Sequence, residues 1–285
     1  MDLIRTADEL RRVAAAERER HGTIAVVPTM GALHAGHDAL IVQAREEARS
    51  VLVSIFVNPA QFAAGEDLAT YPRDEGRDLE RCERLGVDAV WAPPIDEVYP
   101  PGVTLPEPDP GPVGETFEGA ARPGHFRGVL KVVHRLFDLT GPCHAAFGEK
   151  DAQQLFLVRR MVHELALPVS VVACPTVREP DGLACSSRNA RLSAEERDQA
   201  GCLFLALSEA AALARAGESG AARLVAAMTR EVGATPLARL EYAAIVADDT
   251  FEAIDDLVGD DRARAIVAAR FPSARLIDNL PLPTA

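Results

Sequence analysis

Residues 23–175 alternate short apolar runs with segments of helical spacing. The runs at 23–28, 51–57, 88–92, 145–147 and 169–174 have strand length. Three of them stop at chain breakers: Pro28, Asn58-Pro59 and Pro93-Pro94. Between them, 37–49, 75–85, 128–139 and 151–165 carry helical periodicity, with Leu40, Ile41 and Ala44 as one example. A further helix is expected over 3–20, with Leu10, Val13 and Ala14 on one side. Gly86 supplies a C-terminal stop to the charged helix at 75–85. Strands joined by helices must run parallel, so a sheet covered on both faces is expected. Such a sheet binds ligands beyond the carboxyl ends of its strands.

The alternation stops after Pro175. Ala-rich helices are expected at 193–215 and 220–232, and strands at 240–247, 263–270 and 274–280. This order predicts a smaller α+β domain with antiparallel strands. The expected division is 1–176 and 177–285. Residues 93–124 are rich in Pro and Gly and lack a period, which suits an excursion or a binding loop.

Composition narrows the function. The net charge is −13 over 285 residues and no basic run occurs, so a nucleic-acid or anionic-membrane surface is not expected. No segment approaches the roughly 18 apolar residues of a membrane span, and the N-terminal residues lack an apolar signal core. The five cysteines are odd in number and none forms Cys-x-x-Cys. Disulfide and zinc frameworks are therefore not expected, and a reducing cytoplasm fits.

Neither a P-loop nor a Gly-x-Gly-x-x-Gly fingerprint is present. The stretch 26–40 stands in their place. There His34 and His37 flank Gly36 between an expected strand and an expected helix. Two imidazoles at a helix N-terminus suit a phosphate, and a glycine between them admits close approach to the backbone. Further on, Gly148, Glu149, Lys150 and Asp151 follow a short strand. Lys150 offers an ammonium to phosphate, and Asp151 suits either a helix cap or ribose hydroxyls. Taken alone, a capped turn with solvated charges explains that segment better. Cys185-Ser186-Ser187-Arg188 sets hydroxyls beside a guanidinium, which suits phosphate oxygens and equally suits a polar loop. Asn58 and Gln61 could read hydroxyl or carboxylate groups of a small substrate, or simply cap a turn.

Together these segments resemble the pantothenate synthetase (pantoate–β-alanine ligase) family. The matching pieces are residues 28–37, 56–62, 71–73, 122–129, 147–151 with Gln153 and Gln154, and 181–183 with 186–189. Six motifs fall in register, and their order and spacing fit the family from residue 1 to about 280.

The resemblance implies a Rossmann-like nucleotide-binding domain with a smaller C-terminal lid, in a cytoplasmic homodimer. It implies ATP, pantoate and β-alanine as substrates. Pantoate would react with ATP to give pantoyl adenylate and pyrophosphate, and β-alanine would displace AMP. Magnesium would accompany ATP through its phosphates, with no protein ligand assigned. The implied ATP site runs through Met30, Gly31, Ala32, Leu33, His34, Ala35, Gly36 and His37. It continues through Gly148, Glu149, Lys150 and Asp151, then Val177, Cys185, Ser186, Ser187 and Arg188. His37, His34, Lys150, Ser186 and Arg188 carry the implied catalytic roles. Gln61, Gln154 and the Met30 backbone would read pantoate, with Asn58, Tyr71 and Arg122 near the substrates.

Four positions depart from the family pattern: Asp74, Lys131, Ala152 and Cys185. None removes a polar catalytic group; Ala152 and Cys185 shrink side chains near the nucleotide. A tRNA-acylating relative would want a basic face, a simple adenylyltransferase would not need Gln61 and Gln154, and a non-catalytic sensor could dispense with His37, Lys150 or Arg188.

Overall fold

The computed structural model describes residues 1–63, 68–257 and 262–283. The chain divides into two compact units: residues 1–149 with 157–175, and residues 150–156 with 176–285. The short segment 150–156 therefore groups with the C-terminal unit, although it follows the fifth strand of the first.

The first unit contains β1 (Asp2–Ile4), α1 (Ala7–His21), β2 (Ile24–Thr29), α2 (Ala35–Glu47), β3 (Ser50–Ile55), α3 (Glu75–Arg84) and β4 (Ala89–Trp91). The one-turn helices α4 (Ile95–Val98) and α5 (Glu118–Ala121) follow, then α6 (His125–Thr140) and β5 (Cys143–Gly148). Helix α7 (Ala152–Glu164) starts in the segment that groups with the second unit and leads to β6 (Val169–Cys174). The six strands form one parallel sheet in the order β1-β4-β3-β2-β5-β6. Ile24, Ala25, Val26 and Val27 of β2 are all buried, because this strand has a neighbour on each side and helices cover both faces. Ala25, Val27, Val51, Val53 and Val90 meet Ile41 and Ala44 of α2 in one core cluster. The parallel direction brings the carboxyl ends of β2 and β3 to one edge, so the turns beginning at Met30 and Phe56 leave from the same side.

Strand β1 was not expected. Three residues are too few to show a period, and its register with β4 is a tertiary fact. Helix α1 begins after it, where Thr6 and Glu9 form a capping box.

The second unit holds α8 (Ala194–Gln199), α9 (Cys202–Arg215), α10 (Ala221–Gly233), β7 (Arg239–Ala247), β8 (Ala263–Arg270) and β9 (Arg275–Leu282). The strands form an antiparallel sheet in the order β7-β8-β9. Leu203, Ala206, Leu207 and Ala210 recur at helical spacing on α9. They share a core with Ala265, Val267 and Ala269, which alternate along β8. The single helix expected over 193–215 is two. Ser193 and Glu196 cap α8 with a capping box, and Gly201 intervenes before α9.

Candidate active site

The turn between β2 and α2 is built from its own backbone donors. Gly31 donates to Thr29 Oγ1 at 3.2 Å. Ala32 and Leu33 donate to the two oxygens of Asp78, each at 2.8 Å. His34 N–H donates to His37 Nδ1 at 3.2 Å, and Gly36 N–H donates to His34 Nδ1 at 3.1 Å. His34 is thus the N-cap of α2, and His37 closes a capping box from the first turn. An Nδ1 that accepts carries no proton, so both imidazoles are held in the tautomer with hydrogen on Nε2. The rings lie 4.1 Å apart between centroids, tilted by 50°. The backbone N–H groups of Gly36, His37 and Asp38 all have acceptors inside the turn. The helix start expected to present backbone donors has therefore turned those donors inward. The imidazole Nε2–H groups are the donors that the capping pattern leaves to other acceptors.

Behind the next strand, Asn58 uses its whole amide. Its Nδ2 donates to Gln61 Oε1 at 3.1 Å and to Gly128 O at 3.0 Å. Its Oδ1 accepts from Ala60 N–H at 3.1 Å and from the Tyr99 hydroxyl at 2.8 Å. Two donors and two acceptors exhaust an asparagine side chain. Asn58 therefore holds Gln61, and Gln61 Nε2 lies 3.0 Å from the Met30 sulfur. Tyr99 is half-buried, and burial still raises its phenol well above the ordinary range, so it stays a donor. His125 contacts Gln61 O through Nδ1 at 2.9 Å and Arg122 Nη1 through Nε2 at 3.0 Å. Arg122 also lies 6.0 Å above the Phe62 ring, and Phe62 meets Tyr71 edge to face.

In the second unit, Lys150 is fixed by its backbone. Its carbonyl accepts from Asn279 Nδ2 at 2.9 Å, while its Nζ lies 3.7 Å from Asp151 Oδ1. Asn279 is itself gripped by Arg264 Nη1 at 2.5 Å and donates its N–H to Asp278. Asp278 forms a two-point pair with Arg178, at 2.6 and 3.0 Å, and Arg178 stacks on Phe204 at 4.3 Å. The 176–185 segment folds back on itself: Cys185 N–H donates to Val177 O, and Glu179 N–H donates to Leu183 O. This return sets Val177 and Cys185 opposite one another. It delivers Ser186, which caps the short turn over Ser187–Arg191 by accepting from Arg188 N–H at 3.3 Å. Burial raises the Cys185 thiol, and Glu179 beside it adds to the shift. Gln154 lies half-buried on α7. A Cβ at Gly148 would meet no protein atom within 4 Å, so packing alone does not require the glycine there.

The first unit brings together His34, His37, Met30 and Gln61 through short turns at one sheet edge. The second brings Lys150 and Asp151 onto the network anchored in β9, and Val177, Cys185, Ser186 and Arg188 onto one folded-back segment. Sequence reasoning missed Asp78, Tyr99 and Asn279. Each acts across more than 40 residues of chain, and none lies in a motif.

The family model for pantoate-beta-alanine ligase matches residues 2–281. The chain belongs to the pantoate-beta-alanine ligase family. Among the family's curated members, the pantothenate synthetase of Thermobifida fusca is 52% identical, over 98% of this chain and 94% of its own length. That of Rubrobacter xylanophilus is 47% identical, over 99% and 98%. The crystal structure of pantothenate synthetase from Thermus thermophilus superposes with a TM-score of 0.92 at 48% identity, covering 98% of this chain and 99% of that one. A pantoate-beta-alanine ligase from Francisella tularensis, solved with β,γ-ATP and β-alanine, gives 0.79 at 31% identity, covering 98% and 97%. As a pantoate-beta-alanine ligase the chain is an enzyme that forms an amide bond, and the parallel sheet with a smaller antiparallel sheet is the architecture of that family.

Proposed function

We propose that the chain condenses pantoate with β-alanine in two ATP-driven steps and that the residues described above divide the work. In the first, a pantoate carboxylate oxygen attacks the α-phosphorus of ATP. A C–O–P anhydride forms and pyrophosphate leaves. In the second, the neutral amine of β-alanine attacks the acyl carbon. The amide forms, the acyl C–O bond breaks, AMP departs and the amine gives up a proton.

The paired histidines are the observation that carries this reading. With Nδ1 committed to backbone N–H groups, each ring serves as a neutral Nε2–H donor and not as a base at Nδ1. Donors of that kind stabilise oxygens on which charge builds during phosphoryl attack. Lys150 and Arg188 offset the negative charge of carboxylate and triphosphate together, and Ser186 adds a hydroxyl. Gly148 and Asp151 suit the ribose, Val177 and Cys185 the adenine. Met30 through Gly36 line the nucleotide, with Glu149 and Ser187 beside their neighbours. Gln61 and Gln154 read pantoate. Gln61 Nε2 rests on a thioether, a weak acceptor, so a hydroxyl or carboxylate oxygen is the stronger partner for it. Asn58 acts through Gln61, and Tyr71 and Arg122 bound the substrate end.

Among the described residues no group of three or more His, Cys, Asp or Glu side chains is arranged to hold a metal ion. In this reading magnesium enters with ATP, bound through its phosphates. A cytoplasmic homodimer belongs to this reading on family membership alone.

The test is an assay of AMP and pyrophosphate release with ATP, magnesium, pantoate and β-alanine, omitting one component at a time. Pyrophosphate release should require pantoate, and AMP release should require β-alanine as well. His37→Ala and Lys150→Ala should each lower pantoate-dependent pyrophosphate release about 100-fold or more while circular dichroism stays native. Near-normal release in either variant would remove that residue from its role.

A further inference from the structure

We infer that Asp78, on α3, is the positioning residue that fixes the two site histidines in their working geometry. This rests on the reading above, in which those imidazoles face phosphates.

The argument starts from an unfavourable placement. Asp78 is only 3% exposed, and burying a carboxylate is costly. It also adds negative charge close to a site meant for anions. What it gains is local: its two oxygens accept the N–H groups of Ala32 and Leu33, consecutive residues of the turn that ends in His34. Two adjacent donors need two acceptors on one rigid group. A carboxylate supplies both; an asparagine would set an NH2 against one of them.

The turn needs such a clamp. Gly31 has φ +81° and Ala32 has φ +51°, and an alanine rarely adopts the left-handed region. The fit is close: a Cβ on Gly31 would stand 2.9 Å from Asp78 Oδ2. One turn further along α3, Arg81 pairs with Asp38 in the first turn of α2, with Nη2 to Oδ2 at 2.6 Å. Helix α3 thus holds the start of α2 from both sides: the turn that precedes it and its first turn. His34 and His37 lie between those two grips, and their Nδ1 bonds require the backbone N–H groups to stay where α3 puts them. Neither Asp78 nor Arg81 lies in a motif, and α3 has no other part in the proposed chemistry.

The experiment compares the full-length protein with Asp78→Asn, and with Arg81→Gln as a milder change on the same helix. Two readouts are taken: kcat and KM of pantoate-dependent pyrophosphate release, and nitrogen-15 spectra of the imidazoles. Wild type should show both rings in the Nε2–H form. Asp78→Asn should mix the tautomers and lower kcat about 10- to 100-fold, the cost of small misplacement at a reacting centre, with the KM for pantoate within about twofold. Arg81→Gln should move both readouts the same way by less. Unchanged imidazole spectra, or a kcat within about twofold of wild type in Asp78→Asn, would overturn the proposal. Should Asp78→Asn fail to fold, Arg81→Gln decides by the same two readouts. Altered spectra in a protein with no pantoate-dependent pyrophosphate release would support the positioning role and overturn the functional reading instead.

Discussion

Asp78 ties chemistry to stability with opposite signs. Burial is the largest influence on its carboxyl and raises it above the ordinary range, against the pull of the Leu33 and Ala32 N–H bonds. A raised value means the folded chain holds that proton to higher pH than the unfolded chain does. The ionised group therefore costs stability at pH above the folded value, and the cost is released as pH falls through it. Activity runs the other way, since the clamp on Ala32 and Leu33 works as a carboxylate. As pH falls from neutral into the carboxylate range, wild type should gain thermal midpoint relative to Asp78→Asn while losing rate. Paired melts and rate profiles check this; a wild-type midpoint that falls relative to that of Asp78→Asn on acidification contradicts it. The histidines are equally bound to their surroundings, because each Nδ1 belongs to the helix cap before it belongs to any ligand.

At the scale of elements, α6 and the turn at Pro59–Gln61 form one piece. A Cβ on Gly128 would lie 2.2 Å from Ala60 O and 2.6 Å from Gln61 N. Both are backbone atoms and cannot rotate away. The same glycine's carbonyl accepts from Asn58. Gly128→Ala should therefore lower stability by about 1–3 kcal/mol, the usual cost of overpacking, and should also displace Gln61. Denaturant unfolding reads the first effect, and a rise in the KM for pantoate beyond that for ATP reads the second. A variant with wild-type midpoint and unchanged KM would show that α6 can retreat freely. In the second unit the comparable piece is β9, whose Asp278 and Asn279 tie Arg178 and the Lys150 backbone to the antiparallel sheet. A site residue is here held by a strand more than 100 residues away.

At the scale of the whole molecule, the cysteines show how burial sets reactivity. Among the described residues all five are free and buried. Burial pushes Cys82 up to about 12, and Cys143 and Cys174 up to about 11; Cys185 and Cys202 rise as well. The thiolate is the reactive form, so at pH 8 the native protein should resist alkylation and take up five equivalents only after denaturation. Mass spectrometry checks this, and a cysteine modified within minutes in the native state would contradict it. No described helix is long and apolar enough to cross a membrane.

The alternation of apolar runs and helical segments determined the parallel sheet, because crossover connections leave few alternatives, and Gly86, Pro93 and Pro94 marked breaks that the structure keeps. The motifs around His34, His37, Gln61, Lys150 and Ser186 were legible for the same local reason: each is a short run on one turn. What the sequence could not show is everything joined across the chain. It gave no sign of strand β1, whose pairing with β4 needs the folded sheet. The break between α8 and α9 falls at Ala200-Gly201, and a single glycine within a helical run does not by itself mark an end. That Asn58 is spent on Gln61, Gly128 and Tyr99, and that Asp78 and Asn279 hold the Leu33 and Lys150 backbones, are decisions of the tertiary structure. Periodicity and spacing report contacts within a few residues. Hydrogen-bond partners are chosen only when distant elements pack and each buried polar group must find its mate.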